Sequence, residues 1–348
     1  MSWRTCPWSR AEINRAGSVL ADGLPSSTDS DFFSKLREYR EAFGRMDDWR
    51  ASHSFPLNTI QVTLRRRVSQ ETAGEVFQRL KRARSVTSKL ERFPTMQLSR
   101  IQDLGGCRAI LPAVKDINSI RRLYREASDR HALVQEKDYV SDPKNSGYRG
   151  RHLVYKYFSD RSPTYNGHRI EIQLRSRLQH YWATAVEVAG LYIRSSLKSG
   201  VGPYDWLEFF RLASSYIADI EEAPRLAAHK GISDLLGELR VAEGKISACA
   251  SLNTFSSSHR AIETFLPTRA KFFIIEINYE EFTSVIHAFA DPSSATSAYG
   301  ERELEIARND LPIDAVLVSA EDAGSLSRGY PNYFLDTDEF VALISDII

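Results

Sequence analysis

"DYVSDPKNSGYRGRHLVYKYFSDRSPTYNGHRIEIQLRS", residues 138 to 176, is the stretch that decides the fold. Two of its segments, "RHLVYKYF" and "HRIEIQLRS", are short, rich in β-branched and aromatic residues, and bounded by turn-forming residues, so both read as strands. Ahead of the first, Pro143 and Gly147 shape a turn that gathers Lys144, Tyr148, Arg149, Arg151 and His152. In the second, alternation places Glu171 and Gln173 on one face and Ile170 and Ile172 on the other. A carboxylate can then face a cleft while its neighbours pack a core.

Working outward, "HALVQEKDYV", "GCRAILPA" and "EVFQRL" also read as strands, and "SVTSKLERF" as a helix capped by Ser85. Val114 to Ala127 carries Ile117, Ile120 and Leu123 on one helical face, and an amphipathic helix runs from Ser176 to about Arg194. "PLNTIQVTLRRRV" offers Asn58 as a cap for a short helix, and Arg65, Arg66 and Arg67 in it read as a solvated face, with a tRNA-binding patch as the sharper alternative. Helical patterns at Ser9 to Ala21 and Ser30 to Ala51 open the chain. The fold class is α/β (α+β), a mixed sheet flanked by helices.

After Gly202-Pro203 the pattern turns helical, roughly Tyr204 to Glu221 and Ile232 to Phe265, with "SLNTFSSSHR" as a break. Trp182 and "YDWLEFFRLASSYI" lie at helical spacing and belong to a core. A second small α/β unit follows, with "AKFFIIEINY", "SVIHAFA" and "DAVLVSA" as strands and "SATSAYGERELEIAR" and "DTDEFVALISDII" as helices. The expected division is a helical cap over 1–55, the main sheet domain over 56–198, a helical connector over 199–265 and an acidic α/β domain over 266–348. Asp29-Ser30-Asp31 and Asp336-Thr337-Asp338 each precede a helix and read as N-caps rather than metal pairs.

Composition narrows the function. No stretch approaches the roughly 18 apolar residues of a membrane span, which points to a cytoplasmic protein without membrane contact. Cys6, Cys107 and Cys249 are odd in number and too dispersed for a zinc knuckle or a disulfide frame, so they read as reduced structural thiols. His168, His180 and the other histidines show no ligand spacing. From Glu263 to Ile348 five Lys/Arg face sixteen Asp/Glu, a net charge of −11, which leaves +12 on the first 262 residues. The basic part suits phosphate-bearing ligands, and the acidic part either covers that surface or forms a solvated domain of its own. If it restrains the basic part, deletion of 263–348 raises activity; a loss of activity would mark a supporting role.

Walker, dinucleotide-fold, zinc-protease and nucleophile-elbow motifs are all missing. What remains is acidic residues at strand ends among cations. Asp103 sits just before a strand, Glu171 sits on another, and the pair could share one Mg²⁺ with substrate phosphates. Arg79, Lys81, Arg82, Arg84 and Lys89 surround a strand-to-helix turn, a place for a triphosphate.

Four motifs in order carry a family resemblance. They are R-x-K-x-x-x-S-x-x-x-K (Arg79, Lys81, Ser85, Lys89), R-I-Q-D-x-x-G-x-R (Arg100 to Arg108), P-K-x-x-G-Y-R-x-x-H (Pro143 to His152), and E-I-Q-x-R-S (Glu171 to Ser176) with W-A-x-x-x-E (Trp182 to Glu187). Over about residues 56–196 the chain resembles the synthetase domain of RelA/SpoT-type alarmone synthetases in the small, monofunctional form. The resemblance implies a nucleotidyltransferase-like sheet and transfer of the β,γ-pyrophosphate of ATP to the 3′-hydroxyl of GDP or GTP, with release of AMP. It implies that Arg79 and Arg108 enclose adenine, that Lys81, Ser85 and Lys89 hold the donor phosphates with Arg100 beside them, and that Asp103 and Glu171 hold Mg²⁺. Glu171 would accept the proton of the attacking hydroxyl with Gln173 in support. Tyr148 would stack on the acceptor base, and Lys144, Arg149 and His152 would meet phosphates.

The chain departs from that family at Gly150, where Ser is usual; with Arg151 following, the acceptor side is expected to be more open and more basic. Small members that act as toxins pyrophosphorylate the 3′ end of tRNA, which is the alternative acceptor. A non-catalytic nucleotide sensor is the reading of a different class. No His-Asp hydrolase signature precedes the domain, so product degradation is not expected. A protein antitoxin or trigger, and a homo-oligomer, stay open as partners.

Overall fold

In a computed structural model of the chain, nine strands join one sheet in the order β3-β4-β5-β2-β1-β9-β7-β8-β6. The structure describes residues 3–26, 28, 30–127, 130–258, 260–262, 270–278, 280–281, 283–309, 311–319 and 324–347. The strands are β1 (Glu75–Leu80), β2 (Gly105–Leu111), β3 (Ala132–Asp138), β4 (Arg151–Lys156), β5 (Arg169–Ser176), β6 (Arg260–Ile262), β7 (Phe272–Asn278), β8 (Thr283–Phe289) and β9 (Ile313–Ser319). The helices are α1 (Arg10–Ala21), α2 (Phe32–Ala51), α3 (Ser54–Glu71), α4 (Ala83–Arg92), α5 (Val114–Glu126), α6 (Arg177–Tyr192), α7 (Tyr204–Ile220), α8 (Leu235–Ile246), α9 (Ala248–Ser258), α10 (Pro292–Arg308), α11 (Gly324–Gly329) and α12 (Asp338–Ser345). Pairing is antiparallel except for β2 with β5 and β6 with β8.

Period-two alternation sorts the side chains into two layers. Cys107, Ala109, Ile170, Ile172 and Leu174 face one side, where Leu57, Ile60 and Leu64 of α3, Ile117 and Ile120 of α5 and Tyr299 of α10 cover them. Each such buried aliphatic side chain contributes about 1.5–3 kcal/mol relative to exposure. Phe77 and Ile110 face the other side with Trp182, Phe209 and Phe210, so "YDWLEFFRLASSYI" is core as expected. Helices α1, α2 and α4 pack together through Ile13, Met46, Val86 and Leu90. Among the described residues no helix is long and apolar enough to cross a membrane, and Cys6, Cys107 and Cys249 are free.

The two expected caps are not used. Helix α3 starts at Ser54, directly after α2, with Pro56 in its first turn, where a missing N–H costs nothing, so Asn58 is interior. Helix α4 starts at Ala83, and Ser85 lies inside it, because the Ala83 N–H is taken by the carboxylate of Glu303. The break in the connector falls at Ser247, held at φ 48° between α8 and α9, and "SLNTFSSS" stays helical; residues 259 and 263–269 lie outside the described residues. Asp31 stands at the N-cap of α2 but pairs with Lys35 at 3.0 Å instead of capping, and Asp29 lies outside the described residues. Before α12, Asp336 accepts the Asp338 N–H at 3.2 Å.

Strands from both sides of the expected boundary at 266 join one sheet. β9 pairs with β1 at Gln78↔Ser319 and Arg79↔Val318, and Phe77 shares one core with Phe273, Val318 and Phe340. The pairing gives β1 a second neighbour, so the strand carrying Arg79 is interior to the sheet rather than an open edge.

Candidate active site

One cleft on the α6/α7 face is lined by Phe77, Gln78, Arg79, Asp103, Gly106, Cys107, Arg108, Glu171, Gln173 and Tyr330. Sheet register explains the grouping. Gly106 lies between Arg79 on β1 and Glu171 on β5, and Arg108 lies between Phe77 and Gln173. With no side chain at Gly106, the floor between a guanidinium and a carboxylate stays open. The two carboxylates singled out in the sequence, Asp103 and Glu171, therefore face one space.

Both are held ionised. Burial pushes Asp103 up, but Lys81 at 2.7 Å and Lys89 at 3.1 Å win and hold it well below the usual carboxylate range. Burial likewise raises Glu171, and hydrogen bonds from His152 Nδ1 at 2.8 Å and Gln173 Nε2 at 2.6 Å bring it below its ordinary value. Among the described residues no cluster of three or more His, Cys, Asp or Glu side chains is placed to hold a metal. Two ionised carboxylates fit a hard cation that draws its other ligands from water and phosphate.

Arg79 and Arg108 share the cleft with Tyr330, which the sequence reading did not include. The Arg108 guanidinium lies 5.7 Å from the Tyr330 ring centroid, and the Tyr330 hydroxyl donates to the Gln78 carbonyl at 2.6 Å. Burial, then Arg175 and Arg79, push Arg108 down to about 10. The cleft, with Tyr330 in its lining, has about 30 Å³ of free volume, room for a water. Tyr333, one turn on and buried, lies under the Arg82 guanidinium, 6.0 Å from ring centroid. A Tyr-x-x-Tyr pair was visible in the sequence, but nothing local connects it to a site 250 residues earlier.

At the other end, Tyr148 is only 3 % exposed, ringed by Lys144 (5.0 Å), Arg175 (5.0 Å) and Lys198 (5.5 Å). An arginine only donates, so Arg175 donates to Tyr148 Oη at 2.8 Å, which leaves the hydroxyl proton for His152 Nε2 at 2.7 Å. His152 then donates from Nδ1 to Glu171. One directional chain links Arg175, Tyr148, His152 and Glu171. Arg175 and Lys198 were missed; Arg175 shares the outward face of β5 with Glu171 and Gln173, a signal alternation could have supplied. Lys198 pairs with Glu187.

Several expected contacts are not brought to the cleft. Arg151 lies on the opposite face of β4 from His152, buried against Glu136 (3.0 Å) and Asp138, so it adds no charge to the acceptor side. Period-two alternation dictates that separation. Arg149 is buried too, donating to Ser214 Oγ at 3.0 Å and the Val140 carbonyl at 3.2 Å. Gly150 is not an opening: at φ 142° its missing Cβ makes room for Arg175 Cγ, 3.2 Å away, and for Tyr148 Oη at 3.5 Å. Gly147 has the turn role expected, with φ 92° and Trp182 2.9 Å from a Cβ. Arg100 is exposed on the turn before β2 and lends its carbonyl to Arg169. Ser85 is half-buried in the first turn of α4. Arg65, Arg66 and Arg67 form no common patch, since Arg67 is buried over Tyr124 at 4.0 Å. His180 is buried, with Nδ1 accepting from Arg108 at 3.4 Å and Nε2 facing the Arg328 carbonyl at 3.2 Å.

Residues 78–195 match the family model described as a region found in RelA / SpoT proteins. An uncharacterized protein of Mycobacterium tuberculosis is 27% identical over 225 residues, 62% of this chain and 74% of the relative. The GTP pyrophosphokinase YjbM of Bacillus subtilis is 32% identical over 111 residues, 30% of this chain and 51% of the relative. The small alarmone synthetase 1 of Bacillus subtilis, a crystal structure, aligns at 23% identity over 55% of this chain and 95% of its own, with a TM-score of 0.43.

Proposed function

We propose that this chain, which carries a RelA/SpoT region over residues 78–195, is an ATP-dependent pyrophosphokinase that moves the β,γ-pyrophosphate of ATP to the 3′-hydroxyl of GDP or GTP. The observation that carries the reading is the single cleft in which Asp103, Glu171, Arg79, Arg108 and Gln173 meet from three strands and a loop. Similarity to a GTP pyrophosphokinase over 111 residues supports it.

Arg79 and Arg108 offer guanidinium planes to adenine, and Lys81 and Lys89, now neutralising Asp103, turn to the donor phosphates. Ser85 adds a hydroxyl at the start of α4. Mg²⁺ held by Asp103 and Glu171 would neutralise phosphate charge during transfer. Glu171 takes the proton of the 3′-hydroxyl; the acceptor oxygen bonds to the β-phosphorus as the bond to the α-phosphate oxygen breaks, and AMP leaves. Gln173 holds Glu171 in place. Lys144, Tyr148 and His152 form the acceptor side. Tyr330, lying on Arg108 in the resting chain, covers the adenine place, so the acidic C-terminal region restrains the donor site.

The test is ATP labelled on the γ-phosphate, offered guanosine nucleotides, adenosine nucleotides and tRNA in parallel, with products separated. Label in a guanosine nucleotide with AMP release is expected, and Asp103→Ala or Glu171→Ala lowers it by about 10²- to 10³-fold. Label in deacylated tRNA alone overturns the nucleotide acceptor in favour of a toxin. Tight ATP binding without AMP under every acceptor overturns the enzyme in favour of a sensor.

A further inference from the structure

The turn between β1 and α4, which carries Lys81 and leads into Ser85 and Lys89, is held from a side the cleft does not reach. Glu303 on α10 accepts the Ala83 N–H through both carboxylate oxygens, at 3.0 and 3.1 Å. The same carboxylate meets Arg50 Nη1 at 2.5 Å and the Tyr299 hydroxyl at 2.9 Å. Arg50, 1 % exposed at the end of α2, also pairs with Asp47 and donates to the Lys81 carbonyl at 3.1 Å. One residue on, Arg82 pairs with Asp314 at the start of β9. A carbonyl and an N–H two residues apart are thus fixed by side chains from the two ends of the sequence.

Glu303 is set apart from the cleft. It lines a separate pocket of about 260 Å³ with Tyr39, Ala83, Arg84 and Ile313 and is not among the residues lining the cleft. A carboxylate there holds the turn from outside the cleft. A buried arginine between two carboxylates is rigid only when every partner is present, because removing one leaves an uncompensated charge.

We infer that Glu303 and Arg50 are positioning residues of the donor-phosphate turn, and that the C-terminal region therefore divides into a part that builds the donor site and a part that covers it. The building part is β7, α10 and β9; the covering part is 324–347, with Tyr330. The inference rests on Lys81, Ser85 and Lys89 binding donor phosphates. It makes uncovering a local event, in which Tyr330 leaves while α10 stays docked. Deleting 263–348 as a whole then removes the support along with the cover, and activity falls rather than rises.

The experiment uses the full chain with Tyr330→Ala, to expose the cleft, carrying in addition Glu303→Ala or Glu303→Gln. Binding of a non-hydrolysable ATP analogue is measured by calorimetry, and KM and kcat by AMP release. Glu303→Ala is expected to weaken analogue binding and raise the ATP KM on the order of 10- to 100-fold, as a small displacement of phosphate ligands does, with the acceptor KM unchanged. Glu303→Gln, whose amide oxygen still accepts from Ala83, recovers most of the loss. Should Glu303→Ala not fold, Arg50→Lys keeps a cation but gives up the fork that reaches the Lys81 carbonyl, and carries the same readouts. A folded variant with unchanged analogue affinity and ATP KM overturns the inference. Analogue binding without AMP from any acceptor overturns the enzymatic reading alone, whereas no analogue binding to the Tyr330→Ala chain overturns both.

Discussion

At the donor end of the cleft, the contacts come from far apart in sequence: Arg79 beside Val318, Ala83 beneath Glu303, Arg108 under Tyr330. At the acceptor end they come mostly from one turn and two neighbouring strands, with Tyr148, His152, Glu171 and Arg175 linked in a single hydrogen-bonded chain. The donor end is also the end whose cations are occupied, Lys81 and Lys89 by Asp103 and Arg108 by an aromatic ring. Around Tyr148, Lys198 pairs with Glu187, but Lys144 and Arg175 have no carboxylate partner within ion-pair distance among the described residues. The difference teaches that, under the proposed function, the contacts made by the C-terminal region through Tyr330 and Glu303 fall on the ATP side rather than on the acceptor side.

The largest effect that could break this comparison is at Tyr330. Replacing it with Ala removes the ring over Arg108 and the bond to the Gln78 carbonyl, opening a space now the size of one water. The ATP KM is expected to fall by about tenfold or more, with the acceptor KM little changed, since a cation–π contact together with a buried hydrogen bond amounts to roughly 1.5–3 kcal/mol. Steady-state kinetics with each substrate varied in turn checks it. Equal changes in both KM values would mean that the cover spans the whole cleft.

The same contrast explains what the sequence could show. Part of the acceptor end was legible because alternation alone put Glu171 and Gln173 together and set the isoleucines apart. Where alternation was not applied, the reading went astray, as with Arg151, which shares a face with Leu153 and Tyr155 rather than with His152. The donor end was half legible. Asp103, Lys81 and Lys89 are neighbours in sequence terms, but no local pattern connects Ala83 to Glu303 or Arg108 to Tyr330. Those contacts exist because β9 pairs with β1, and a pairing of two register positions across some 240 residues leaves no periodic trace. The cap placed at Ser85 failed for the related reason that a tertiary contact, here Glu303, can satisfy a helix terminus better than a local side chain, whereas Asn58 falls inside a helix that already starts at Ser54.

A smaller effect sharpens the acceptor side. Arg151→Met leaves Asp138 without its arginine and Glu136 with only Arg121 and Arg125, and is expected to lower stability by about 1–2 kcal/mol, less than for a fully buried pair because Glu136 keeps two partners and Asp138 is partly exposed. The acceptor KM stays within about twofold, since the side chain is on the far face of β4. Lys144→Ala reverses the pattern, with stability nearly unchanged and the acceptor KM raised about tenfold through the loss of one partly desolvated charge. Chemical denaturation and kinetics on the two folded variants separate them. An Arg151→Met chain with normal stability and a raised acceptor KM would restore the basic acceptor surface that Gly150-Arg151 suggested.

The smallest effect is one of pH. Lys198 is depressed to about 8, first by burial and then by Arg175, against the pull of Glu187. Its ammonium lies 5.5 Å from the Tyr148 ring centroid. Because the folded value is below that of a free lysine, Lys198 is charged at pH 7 and loses its proton between about pH 7.5 and 9, when the acceptor side gives up one positive charge. The acceptor KM should then rise a few-fold over that window, while the ATP KM follows only the nucleotide's own titration. Lys198→Arg, which stays charged throughout, removes the rise. If the rise survives in that variant, the titrating group is elsewhere and Lys198 serves only as the partner of Glu187; if the ATP KM rises in parallel, the two ends of the cleft share their electrostatics through Arg175 and Arg79, and the separation of donor from acceptor control is lost.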